Sequence, residues 1–114
     1  MTSPTSRSLA HLRKQDYLAE VVEKWNPHAH VRHDLYGIID ILCIAQDGRE
    51  KGVIGIQATS YANHSSRRNK ALASPNLPHW LKAHNRFFVH SWRKVKNRWQ
   101  LREEELTLSH LQHV

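Results

Sequence analysis

Ile38-Ile39-Asp40-Ile41-Leu42-Cys43-Ile44-Ala45 is the stretch on which the reading of this chain turns. It is apolar at every position except Asp40 and rich in β-branched residues, the pattern of a strand buried on both faces. Gln46-Asp47-Gly48-Arg49-Glu50 follows, with Asp-Gly at its centre, and predicts a hairpin connection. Gly52 to Thr59 then returns as the next strand.

Outward from that hairpin, Ser3-Pro4 offers a helix start, and Leu9 and Leu12 give residues 5–15 the spacing of a short helix. Tyr17 to Trp25 alternates through Ala19, Val21, Glu23 and Trp25 and stops at Asn26-Pro27, so it reads as a strand. A polar loop rich in histidine runs from Pro27 to Gly37. Downstream, residues 65–73 read as a helix and Trp80-Leu81-Lys82 as a short helical turn. Arg86–Trp92 and Arg98–Leu108 form a terminal hairpin joined near Val95-Lys96-Asn97, with Trp92 and Trp99 as expected cross-strand neighbours. The expected fold class is α/β: an αβββαβ core plus a C-terminal hairpin, in a mixed, mainly antiparallel sheet flanked by helices.

At 114 residues the chain fits one domain, 1–114, and not two. The single Cys43 excludes an intramolecular disulfide framework and reads as a buried small hydrophobe. The N-terminus has no apolar core and no run is long enough to span a membrane, so the expected setting is a reducing cytoplasm. Charge is unevenly placed. The net charge is +7, and from Lys51 to Arg102 there are eleven basic residues and no acid. Such a one-signed half attracts polyanions, and the interleaved aromatics suit phosphate contact plus base stacking, so DNA is the expected partner. His64, Ser66, Arg67, Arg68 and Lys70 around a helix start form a phosphate cradle, and Lys94 and Lys96 at the hairpin tip reach for the backbone. Glu103-Glu104-Glu105 reads as a solvated patch or as the partner of a basic face in a dimer. His28, His30 and His33 raise a zinc site, for which the sequence places no firm third or fourth ligand.

Asp40 needs an explanation, because a carboxylate in a buried strand is costly unless paired, hydrogen-bonded or bound to metal. Gln57 and Thr59 share one face of the neighbouring strand, so the hairpin brings them to Asp40, and Asp34 can approach from the loop. This arrangement resembles the PD-(D/E)XK nucleases of the restriction-endonuclease-like fold, in particular Holliday-junction resolvases and small phage or prophage nucleases. Asp34-Leu-Tyr-Gly-Ile-Ile-Asp40 stands for the segment with the family's Asp, and Ile56-Gln-Ala-Thr-Ser60 for its Glu-x-Lys. The resemblance implies a metal-dependent endonuclease acting on DNA with Mg²⁺ or Mn²⁺, working as a homodimer. Asp40 would then be a metal ligand, with Gln57 in place of the Glu, the Ala58 carbonyl and Asp34 completing the shell, and Thr59 in place of the Lys as the group orienting water. The departures are Gln57, which is neutral, and Thr59, which carries no cation. The family's first-helix acid has no counterpart in residues 5–15, and Glu20 is the nearest substitute. A catalytically weak DNA-binding module or an interaction subunit stands as the alternative.

Overall fold

The computed structural model describes residues 3–111, so the extreme ends of the expected 1–114 domain lie outside the described residues. Helix α1 spans Pro4–Lys14; the Ser3 hydroxyl accepts a hydrogen bond from the Ser6 N–H at 3.1 Å, and Pro4 fills the first helical position. Strand β1, Tyr17–Val21, is shorter than the expected Tyr17–Trp25. The chain leaves the sheet after Val21 and forms a separate two-stranded hairpin from β2, Lys24–Asn26, and β3, Val31–His33. Local chemistry makes that turn: the Asn26 Oδ1 accepts from the N–H groups of His28 and Ala29.

Strands β4 (Ile41–Ala45) and β5 (Ile54–Ser60) carry the central run. Helices α2 (His64–Ala73) and α3 (Leu77–Lys82) lead to the terminal hairpin of β6 (Arg86–Val95) and β7 (Arg98–Leu106). The five-stranded sheet has the order β1-β4-β5-β6-β7. β5 and β6 are parallel, and every other neighbour pair is antiparallel. Only the parallel pair needs a long crossover, and α2 and α3 supply it.

One face of the sheet packs on α1 through Leu12, Ala19, Ile41, Cys43, Ile54 and Ile56. The other packs on α2 and α3 through Ile38, Ile39, Ala71, Leu77, Phe87 and Val89. Gly55 makes room for this second layer: a Cβ there would lie 2.8 Å from Ile39 Cδ1 and 3.1 Å from Trp80. Cys43 is buried as expected.

Further sequence expectations change. Residues Ile38–Asp40 lie in a turn ahead of β4 rather than within the strand, closed by a bridge between Leu35 and Ile39. β4 is not buried on both faces: Ile44 is 44% exposed beside its partner Leu18, which is exposed as well. The Gln46–Glu50 connection is a short 3-10 turn, Gln46–Gly48, in a loop that continues to Val53. The turn at the terminal hairpin lies where the sequence placed it, with Lys96 and Asn97 at φ 50° and 64°, which suits the strand twist. Trp92, however, lies opposite Leu101, and Trp99 opposite Lys94. No helix among the described residues is long and apolar enough to cross a membrane.

Candidate functional site

Asp40 is fixed by its backbone before its side chain is considered. Its N–H donates to the Ile56 carbonyl at 2.8 Å and its carbonyl accepts from the Val22 N–H at 2.8 Å, so the residue is clamped between β5 and the end of β1. With Ile41 opposite Ile56 on the α1 face, alternation turns Asp40 and Gln57 to the opposite face. The Asp40 Oδ2 accepts two hydrogen bonds, from the Gln57 Nε2 and from the Ala58 N–H, each 2.8 Å long. The Gln57 Nε2 also lies 3.5 Å from Asp34 Oδ2. Ala58 therefore meets Asp40 through its N–H, and its carbonyl points to the same edge of β5 because both groups of one strand residue do.

A third carboxylate joins them. Glu23, in the link between β1 and β2, brings an oxygen to within 4.8 Å of those of Asp34 and Asp40. Glu23 is held by Arg32 of β3 at 2.8 Å, so the small hairpin that leaves the sheet carries this acid to the site. Asp40 itself is 2% exposed. Its carboxyl is pushed up to about 8, first by burial and then by the Asp34 carboxylate beside it, with the Ala58 N–H opposing and the charge of Glu23 adding to the rise. At neutral pH this group holds a proton unless a cation replaces it.

All the donors gathered here are hard oxygens: three carboxylates, the Gln57 amide oxygen if its amide turns over, and the Ala58 carbonyl. Such a set fits Mg²⁺ or Mn²⁺ and not a soft metal. Sequence reasoning missed Glu23 and looked instead to Glu20, which is exposed and pairs with Arg13 at 3.6 Å. The signal was available in the pairing: an antiparallel β1–β4 register with Val21 opposite Ile41 puts Val22 opposite Asp40 and Glu23 immediately beyond.

The remaining predicted residues separate. Thr59 is buried on the face of Gln57, one further step along β5, and the cluster's hydrogen bonds run through Gln57 and Ala58 instead. His64 is buried and cannot cradle a phosphate; its ring nitrogens lie 2.7 Å from Ser91 Oγ and 2.8 Å from Glu104 Oε1. Arg68 bonds Glu104 at 2.7 Å. The Ser66 hydroxyl turns back to the Asn63 carbonyl. Lys70, Lys94 and Lys96 are exposed and Arg67 half-buried. His28, His30 and His33 are exposed and stand outside the carboxylate group.

Glu103-Glu104-Glu105 is not a free solvated patch, because each acid has a partner within the chain. Alternation along β7 sends Glu103 to His90 at 2.7 Å and Glu104 to His64 and Arg68, while Glu105 meets Arg86 at 3.0 Å. The bond to His90 holds Glu103 below the usual carboxylate range, and burial opposes it. Burial would raise Glu104, but its bonds to His64 and Arg68 bring it below that range as well.

No protein-family description matches the chain, and neither a curated protein nor a solved structure matches it.

Proposed function

We propose that the protein is a metal-dependent nuclease that hydrolyses phosphodiester bonds in DNA, built on a restriction-endonuclease-like core of the PD-(D/E)XK kind. The observation that carries this reading is the convergence of Glu23, Asp34 and Asp40 within 4.8 Å around a buried carboxyl that resists ionisation alone. With the β2–β3 hairpin and α3 set aside as additions, the element order α1-β1-β4-β5-α2-β6, with β5 and β6 parallel, supports it because that core has the same order.

Asp40, Asp34 and Glu23 would hold Mg²⁺ or Mn²⁺, with Gln57 and the Ala58 carbonyl beside them. A cation held there supplies Lewis acidity toward a phosphoryl oxygen and lowers the pKa of its bound water. The chain's own work is to keep Asp40 desolvated and aimed through the Ala58 N–H, and to keep Glu23 in place through Arg32. The exposed cations Lys70, Lys94 and Lys96 lie in the acid-free half of the chain and attract the DNA backbone. Thr59, which carries no charge, stands in the place of the family's Lys, and among the described residues no salt bridge joins Asp40 to a cation of α2.

One observation favours a second reading. The Gln57 amide donates toward Asp40 and Asp34 and so relieves part of the repulsion that a cation would otherwise neutralise. In that reading the same fold binds DNA without cutting it. Cleavage of linear duplex, single-stranded and branched DNA with Mg²⁺ or Mn²⁺ separates the two. Asp40→Ala is expected to lower the rate by more than about 100-fold, beyond the loss typical of groups one step removed from a metal. DNA binding by both proteins with cutting by neither would establish the second reading.

A further inference from the structure

The β6–β7 hairpin extends beyond the rest of the sheet. Ser60, the last residue of β5, lies opposite Trp92, so Arg93 to Val95 and their partners run on without a β5 neighbour. This projecting arm carries cations on both faces. On the α1 face, the Arg7 guanidinium stacks 3.3 Å from the centroid of Trp99, and Lys94 lies 6.0 Å from the same ring. On the α2 face, Arg93 and Arg102 flank Tyr61 at 4.4 and 5.8 Å. Lys96 and Arg98 are exposed at the turn. Among the described residues, none of these six cations has a carboxylate partner, whereas Arg68 and Arg86 are both paired.

The aromatic rings here are not bare stacking platforms. Arginine covers a face of Trp99 and of Tyr61, so what the hairpin presents is guanidinium held in place by a ring. Fixed arginines suit phosphate oxygens, and a stacked base would have to displace them. Two strands about 4.8 Å apart with side chains on either side match a B-DNA major groove about 12 Å wide, which admits a two-stranded ribbon.

We infer that the β6–β7 hairpin is a duplex-DNA ribbon that enters the major groove, with Arg93 and Arg102 on the phosphates of one rim and Arg7 and Lys94 on those of the other. Lys96 and Arg98 then lie deepest in the groove. This deepens the reading of DNA as substrate and rests on it. Gln57 lies opposite Val89, and Arg93 is four residues further along β6. At about 3.3 Å per residue this is roughly 13 Å along the strands, so the arm's arginines stand apart from the carboxylates.

Fluorescence anisotropy of a duplex of about two helical turns, in EDTA across a salt series, tests the inference with the full chain. Arg93→Ala/Arg102→Ala and Arg7→Ala/Lys94→Ala are each expected to make the slope of log K against log salt shallower by about two. Lys51→Ala/Lys82→Ala removes the same charge from exposed positions away from the arm and is expected to change it much less. Losses no greater in the hairpin variants than in this control would overturn the ribbon. So would a loss confined to one hairpin pair, which would lay the arm against the duplex rather than in its groove. Equal or tighter binding of the single strand would overturn it too. Ribbon-dependent binding without metal-dependent cutting would overturn the nuclease reading alone, and cutting that survives unaltered in both hairpin variants would overturn the ribbon alone.

Discussion

Two sets of three carboxylates lie in this molecule, and their surroundings differ in kind. Glu103, Glu104 and Glu105 are consecutive, yet strand alternation sends them to both faces, where each finds a histidine or arginine. Glu23, Asp34 and Asp40 are not neighbours in sequence, yet the fold gathers them with one arginine between them. In the first set Glu103 and Glu104 are held below the ordinary carboxylate range; in the second, Asp40 is pushed up to about 8. Acids that carry their own counter-charge hold strands and helices together. Acids gathered with a single arginine among them are short of counter-charge, and on the proposed function a cation supplies it.

The largest expected effect of this difference is in pH-dependent stability. Asp40 binds its proton more tightly folded than unfolded, so its own contribution to metal-free stability is full below its ordinary value of 3.8 and declines as pH rises toward about 8, opposite in sign to that of Glu103 and Glu104. The decline is on the order of 1 kcal/mol per pH unit. Denaturant unfolding of the protein and of Asp40→Asn isolates this contribution: the variant, which cannot ionise there, is expected to lose the slope and to be the more stable protein at the alkaline end. Parallel pH curves for the two would erase the contrast between the acid sets.

A smaller effect is expected from the paired set. Glu104→Ala leaves the Nε2 of a buried His64 without its partner and frees Arg68, at a cost of about 2 kcal/mol in the unfolding free energy. Smaller still is Glu105→Ala, about 1 kcal/mol or less, because Arg86 keeps Glu50 at 2.7 Å and the pair is partly solvated. A reversal of that order would mean that solvent exposure does not separate these pairs.

The contrast also explains what could be read from the sequence. The Ile38–Ala45 run, the second strand ending in Gln57-Ala58-Thr59 and the Lys96-Asn97 turn are local patterns, and they placed the hairpin and its acid. Asp40 stood out because a polar residue interrupted an apolar run. Glu23 did not, since its position depends on the β1–β4 register and on the short hairpin that leaves the sheet, neither of which is a local property. His64 misled for a related reason: a histidine ahead of Ser-Ser-Arg-Arg looks exposed, but its partners Ser91 and Glu104 come from strands 27 and 40 residues away. The glutamate triplet looked like a solvated patch because its counter-charges lie elsewhere in the chain.

Whether Glu23, Asp34 and Asp40 form a divalent-cation site is decided by Mn²⁺ titration, followed by calorimetry and thermal unfolding. The protein is expected to bind Mn²⁺ and to gain stability with added metal, about 2.7 kcal/mol at a hundredfold excess over Kd. Asp40→Asn is expected to lose that gain. No binding by the natural sequence at millimolar Mn²⁺, or an equal gain in Asp40→Asn, would contradict the account.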